Sequence, residues 1–278
     1  ELWRDASGAL QVRSRDTDGN GYASDAWSGD SVPVAMLNGE TLVDAARKAA
    51  ILASLAFNSR VQLKDVHVEG ITKITTADIE YAKSLGYVIK LLAVGKENSR
   101  GIDVRVHPAF LPKAHPLASV NGVSNAIFVK GNIIGEAMFY GPGAGFATAS
   151  AVISDIIEIS RNILCNATGR LGCTCYEQKP LCPIEETRTS YYIRLLVDDK
   201  PGVLGAIAKT FGDANVSLKS VVQTNGTQED HAEIVVITHC IEYKYVLDAI
   251  DRLKKLPVVD EVLGMIRVHC EDGDDDNG

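Results

Sequence analysis

Residues 191–271 switch between two hydrophobic periods in a fixed order, and this constrains the fold more than any other feature. Alternating runs such as YYIRLLV (191–197) and HAEIVVIT (231–238) bracket stretches with helical spacing such as VLGAIAKTF (203–211). The sequence reads strand, helix, strand, strand, helix, strand. A βαββαβ order of this kind predicts a ferredoxin-like unit, an antiparallel sheet with both helices on one face.

The 278 residues leave room for a second unit ahead of it, since domains cluster near about 100–150 residues. TLVDAARKAAILASLAFNS (41–59) carries apolar residues on most faces, which predicts a buried helix. In ITKITTADIEYAKSLG (71–86), Thr75 reads as an N-cap with Asp78 three residues on, and Gly86 as the stop. YVIKLLAVG (87–95) reads as a strand, and the alternation of IDVRVHPAF (102–110) predicts a half-exposed one. NAIFVKGN (125–132) and AMFY (137–140) read as two more strands, and FATASAVISDIIEISRN (146–162) as a helix opened by Gly141, Gly143 and Gly145. The fold class expected is therefore α+β, a mixed-sheet domain covered by helices and followed by the ferredoxin-like unit. The divisions are an atypical Gly/Asp-rich segment of loops and short strands at 1–40, a first domain at 41–164, a linker at 165–190, the second domain at 191–271 and an acidic tail at 272–278.

A net charge of −8 argues against a nucleic-acid or anionic-membrane surface, since both want clustered Lys and Arg. No run approaches the ~18 apolar residues that cross a bilayer, and no signal peptide is visible. Six cysteines in 278 residues are not disulfide-scaffold density, so a reduced cytoplasm is the expected compartment.

Asp44 and Lys48 stand four apart and so share a helix face, an ordinary ion pair were the face charged and exposed. Here they are embedded among Leu42, Val43, Ala45, Ala46, Ala49 and Ala50. Desolvation there would lower the pKa of Lys48 toward the range in which it gives a proton near neutral pH. The GPGAG run (141–145) lies between a strand and a helix, but Phe146 stands where a dinucleotide fingerprint needs a third glycine. In the acidic stretch 16–27, Asp16, Asp18, Asn20, Gly21 and Ser24 fit an EF-hand loop while Trp27 replaces the closing glutamate, so a plain Asp/Gly turn cluster is preferred to calcium. Cys165, Cys173, Cys175 and Cys182 lack a C-x-x-C knuckle, which counts against zinc, and no metal is expected. His107 and His115 read as surface or capping residues. The Lys200-Pro201-Gly202 turn opens a helix whose amide end suits a carboxylate, with Asn215 after that helix.

VDAARKAAILASLAF (43–57), the stretches 65–95, 105–132 and 135–162, and the run TGRLGCTCYEQKP (168–180) resemble the substrate domain and linker of homoserine dehydrogenases, in the family's own order. Residues 191–271 resemble an ACT domain, a small-molecule sensor. The resemblance implies interconversion of L-homoserine and L-aspartate 4-semialdehyde with NADP or NAD, in threonine and methionine biosynthesis. It implies that Asp44 binds the amino-acid substrate, that Lys48 handles the proton, and that Gly145 touches the cofactor. It further implies feedback by an amino acid, threonine first, at Lys200, Gly202 and Asn215, in a homodimer or higher homo-oligomer.

Two departures stand against this. The family's Gly-Tyr-x-Glu element is matched only by Gly21-Tyr22, a second candidate cofactor contact, with Ser24 in place of the glutamate. No Rossmann unit with G-x-G-x-x-G occurs in the sequence, so the nucleotide-binding domain is absent from it. The alternative reading is a non-catalytic, amino-acid-sensing ACT protein that keeps a truncated dehydrogenase domain.

Overall fold

The computed structural model describes residues 2–4, 10–12, 39–122, 124–143, 145–167, 173–225 and 230–270. Short strands β1 (Leu2–Arg4) and β2 (Leu10–Val12) pair with each other. Gly21, the acidic stretch 16–27 and the tail 272–278 lie outside the described residues.

Helix α1 (Gly39–Ala56) buries Ala46, Ala49, Ala50 and Ala53, a three-four stripe whose small side chains let the helix lie close on the sheet. Ile51, Leu52 and Leu55 are exposed, so the expectation of a helix buried on most faces is corrected: one face is covered and the opposite face is apolar but open. Helix α2 (Thr76–Ser84) follows the short β3 (His67–Val68) and begins with the expected capping box, Thr75 and Asp78 bonding each other reciprocally. Gly86, at φ 84°, ends it.

A hairpin of β4 (Tyr87–Asn98) and β5 (Gly101–Pro112) comes next, in unbroken antiparallel register from Tyr87↔Pro112 to Asn98↔Gly101. Gly101 has φ 123° and lies so close to Pro180 that an added Cβ would sit 2.2 Å from its carbonyl oxygen. Nothing larger fits there. Strands β6 (Ser124–Gly131) and β7 (Gly135–Pro142) form a separate hairpin, and α3 (Phe146–Leu164) leaves it without burying a residue.

The C-terminal unit contains β8 (Arg188–Asp198), α4 (Val203–Asp213), β9 (Leu218–Asn225), β10 (His231–Thr238), the short β11 (Ile241–Glu242), α5 (Tyr243–Leu253) and β12 (Val259–Val268). This is the expected βαββαβ order. Ile207 and Phe211 of α4 and Val246 and Leu253 of α5 share one core with Ile193, Leu195, Ile234 and Val236, which puts both helices on one face.

The main sheet runs β3-β5-β12-β8-β10-β9, with β4 on β5 and β11 on β8, and is therefore continuous through both units. β12 is the join, antiparallel to β8 and parallel to β5 at Arg267↔Ala109 and Val268↔Phe110. The intervening stretch is docked as well: Ile102 donates to the Pro180 carbonyl, and Cys182 donates to that of Ile102, each at 2.9 Å. Part of the expected linker is thus bonded chain, because β5 would otherwise leave polar edge groups unpaired.

On one face of this sheet, Asp78 is wholly buried. Its carboxylate accepts from Thr75 N at 2.9 Å, Thr75 Oγ1 at 2.7 Å, Tyr192 Oη at 3.0 Å and Arg194 Nε at 2.9 Å. Burial works against the charge of Arg194, but Asp78, Tyr192 and Glu233 outweigh it and raise its pKa. Gly264 leaves the room, since a Cβ there would stand 3.3 Å from Asp78 Oδ1.

β5 departs from expectation on the opposite face. Asp103, Arg105 and His107 are as buried as Ile102, Val104 and Val106, so the strand is covered on both sides. The alternation reports two chemically different faces, and the polar one is buried because its groups bond one another. Arg105 donates to Asp103 at 2.6 Å and through Nε to His107 Nε2 at 3.1 Å. His107, expected at the surface, is therefore a buried neutral ring that accepts at Nε2 and donates from Nδ1 to the Pro108 carbonyl. Burial, then Arg105 and Arg267, push its pKa down to about 3. His115 does cap, accepting from Leu117 N at 3.1 Å. Nearby, Glu69 accepts from His67 and Arg267. Burial acts to raise its pKa, but those two bonds outweigh it and hold the carboxyl at about 2.

Replacing Asp78 by alanine leaves the buried Arg194 with Glu233 at 3.4 Å as its remaining counter-charge and should cost about 3 kcal/mol in urea unfolding. A loss below about 1 kcal/mol would show that the junction does not depend on the pair. Both Glu69 and His107 have pKa values below their ordinary ones, so each lends stability that is whole above the ordinary value and fades as pH falls. The windows are about 4.5 to 2 for Glu69 and about 6.5 to 3 for His107. Midpoints measured across pH 7 to 3 should fall less steeply in His107→Gln than in the parent chain, and an unchanged slope would count against a buried neutral ring.

Candidate functional site

Asp44 and Lys48 lie one turn apart on α1, and the Lys48 ammonium meets the Asp44 carboxylate at 2.7 Å. The helix repeat sets this distance. What the apolar neighbours suggested is corrected: the two side chains are 57% and 71% exposed, because Ala46, Ala49 and Ala50 turn inward and the charged pair turns away. Nothing in the described chain desolvates Lys48. The pair is a paired cation and anion on an open surface beside the exposed Ile51, Leu52 and Leu55.

Gly145 precedes α3 with φ 82°, and a Cβ there would meet no atom within 4 Å. Its turn follows an antiparallel two-stranded hairpin and not a βαβ unit. Among the described residues no hydrogen bond or ion pair joins Gly145 to Asp44 or Lys48. Val152, Ile153, Ile156, Ile157 and Ile159 of α3 are all exposed. α1 and α3 thus each present apolar surface around the candidate residues.

At the other end of the chain, Gly202 caps α4 at φ 94°, and Lys200 donates to Asp198 at 2.8 Å. That bond raises the pKa of Lys200 and lowers that of Asp198. Asn215 is exposed beyond the far end of α4 in the left-handed region at φ 59°. At 1.5 Å per residue, the 11-residue helix separates it from Gly202 by about 16 Å. Lys200 and Gly202 come together, and Asn215 stands apart from them in one copy of the chain. Ligand atoms of Asp198, His231 and Asp260 lie within 4.8 Å of one another, but Lys200 already fills part of that charge, and we read the trio as a solvated ion-pair cluster.

Several polar residues were not reachable from the sequence. Glu69 and Arg267 bond across 198 positions, and no local signal links them. Asp198, two before Lys200 in the strand-ending DDK, was in view but had no visible role.

Residues 39–157 match the family model described as homoserine dehydrogenase, and residues 191–258 match that of the ACT domain. The homoserine dehydrogenase of Synechocystis sp. is 44% identical over 236 residues, which is 81% of this chain and 54% of that protein. That of Corynebacterium glutamicum is 42% identical over 231 residues, 81% of this chain and 51% of its own length. The crystal structure of a homoserine dehydrogenase from Thiobacillus denitrificans aligns with a TM-score of 0.75 at 35% identity, covering 82% of this chain and 53% of that one. The chain spans about half the length of the relatives it matches. With these matches, residues 39–157, on α1 to α3, belong with the catalytic domain of the homoserine dehydrogenase family, and residues 191–258, on β8 to α5, with the ACT domains.

Proposed function

We propose that the chain is the substrate-binding and regulatory part of an NAD(P)-dependent homoserine dehydrogenase, interconverting L-homoserine and L-aspartate 4-semialdehyde. The observation that carries this reading is the Asp44–Lys48 pair at 2.7 Å on the first helix of the matched domain. In the proposed site, the Asp44 carboxylate takes the substrate ammonium and fixes its orientation. Lys48 holds a proton at Nζ for the substrate oxygen as that oxygen gains negative charge. Asp44 has lone pairs enough to accept from both cations at once.

A nicotinamide dinucleotide does not find its whole seat here. Gly145 offers an unobstructed backbone, but its turn sits on an isolated hairpin, and the described residues hold no phosphate cradle of the βαβ kind. We therefore assign the nucleotide to a domain outside the 278 residues. The exposed apolar faces of α1 and α3 support that assignment, since covering them would also exclude water from Lys48.

For the ACT unit, we propose an amino-acid effector whose carboxylate lies at the Gly202 amide end of α4 beside Lys200. Threonine, an end product of the pathway, is the first candidate. A ligand that small cannot span α4, so Asn215 would reach it only from a second copy. The sheet ends on β9, and that edge can pair with its counterpart in a homodimer.

Homoserine oxidation followed by NADPH absorbance should be at background for the chain alone and appear once a nucleotide-binding domain is added in trans. In the reconstituted enzyme, Lys48→Ala should lower kcat by about 10²–10⁴-fold and Asp44→Asn should mainly raise KM. Activity that survives Lys48→Ala removes the proposed proton carrier. Threonine binding by calorimetry without any reconstituted turnover would favour a sensor over an enzyme.

A further inference from the structure

A small cavity lies at the join of β5, β8 and β12, and its lining carries Lys96, Arg105, Arg188 and Arg267. Its volume is about 20 Å³, room for about one water-sized particle. Among the described residues no carboxylate lines it. The one lining group able to carry negative charge is Cys270, whose sulfur is already engaged by Ser190 N and Ser190 Oγ, each at 3.0 Å.

The side chain of Arg267 is 3% exposed. The Tyr243 ring covers one face of its guanidinium, 4.9 Å from Cζ to the ring centroid, and Nη1 donates to Glu69. What remains is Nε and Nη2, both buried with no partner among the described residues. These two nitrogens share one edge of the planar group, the edge that grips an acceptor with two parallel bonds. Arg188 Nε is buried and unpartnered as well. Buried donors without an acceptor are rare and costly, more so when they carry charge. The carboxylates at hand are taken, Asp103 by Arg105 and Glu69 by Arg267 and His67. Nor is the charge lost. Burial works against it in Arg267, but the bond to Glu69 and the nearby Tyr191 and Tyr243 outweigh burial and raise its pKa.

We propose that this cavity binds a single monatomic anion, chloride in solution, on the Nε–Nη2 edge of Arg267 and beside Arg188 and Arg105. A water molecule would accept from the orphaned donors but leave the buried positive charge unbalanced, and an anion does both. Size decides among anions. Chloride is only slightly larger than water, whereas a phosphate or the carboxylate of an amino acid brings more atoms than the cavity holds. The site therefore differs in place and in ligand from the effector turn proposed at Lys200 and Gly202.

The consequence lies in the sheet. Arg105, Arg188 and Arg267 stand on β5, β8 and β12, so one anion would bridge all three strands. β12 meets β5 through Arg267↔Ala109 and Val268↔Phe110, the pairs nearest the cavity. An anion there offsets the repulsion of like charges gathered across the join, and so strengthens the contact between the two units. The inference needs only the geometry of this sheet and stands apart from the catalytic reading.

The test melts the full chain in sodium gluconate with chloride substituted stepwise at constant ionic strength, and locates bromide in crystals by its anomalous scattering. The midpoint should rise by about 2–4 °C and then level off as one site fills, whereas a general salt effect does not saturate. Bromide should give a peak within hydrogen-bond reach of Arg267 Nε and Nη2. Arg188→Gln, a change at a half-buried site, should fold and need about tenfold more chloride for the same rise, having lost a charged donor. Equal midpoints in chloride and gluconate would overturn the proposal and leave a water in the cavity. Bromide found only outside the cavity, or not at all, would overturn it too, as would a folded Arg188→Gln with an unchanged chloride response.

Discussion

One carboxylate, that of Asp78, closes a helix and docks a domain at the same time. Its Oδ2 completes the capping box with Thr75, and its Oδ1 accepts from Tyr192 and Arg194 on β8. All of this happens out of water, where an unmatched charge would be costly, so the cap and the interface are either both formed or both lost. Burial and the Asp78 charge raise the pKa of Tyr192, which keeps its hydroxyl a donor. Gly264 on β12 is part of the same arrangement, because a larger residue would press on Asp78 from the third side.

The remaining architecture follows from that fixed point. With α2 held on β8, Phe110 of β5 stacks on Tyr192 at 4.4 Å between ring centroids, and one core runs from Ala82 to Val268. β12 then fits between β8 and β5 and makes the sheet continuous. On the far side Arg267 lies over Tyr243 and bonds Glu69 near β3, so both faces of the join carry a charged tie. An effector bound at α4 would act on a sheet that reaches the substrate domain without a break. A hinged linker would transmit less, since nothing would oblige the two units to shift together.

Much of the fold was legible because it is written in local periods. The capping box at Thr75 and Asp78, the stop at Gly86 and the βαββαβ order are all set by neighbours within four residues. What the sequence concealed depends on partners far along the chain. The alternation of Asp103, Arg105 and His107 looks the same whether the polar face meets water or its own hydrogen bonds, and here it meets the bonds. Asp44 and Lys48 were found by spacing, but their exposure was not, since a stretch rich in alanine on one side and leucine on the other does not say which side the sheet will take.

The exposure of Lys48 bears on the proposed chemistry. A lysine that donates a proton near neutral pH needs its ammonium destabilised, and the ordinary ways are burial or a neighbouring cation. The described chain offers neither, and Asp44 meets Lys48 at 2.7 Å on an open surface. If Lys48 carries the proton as proposed, that environment would have to come from whatever covers α1. In the proposed reaction the substrate's own ammonium would compete with Lys48 for Asp44, and closure would remove water. Substrate binding and activation of the lysine would thereby be one event. A helix surface left open until both the substrate and a covering domain are present is a reasonable way to keep an acid silent in their absence.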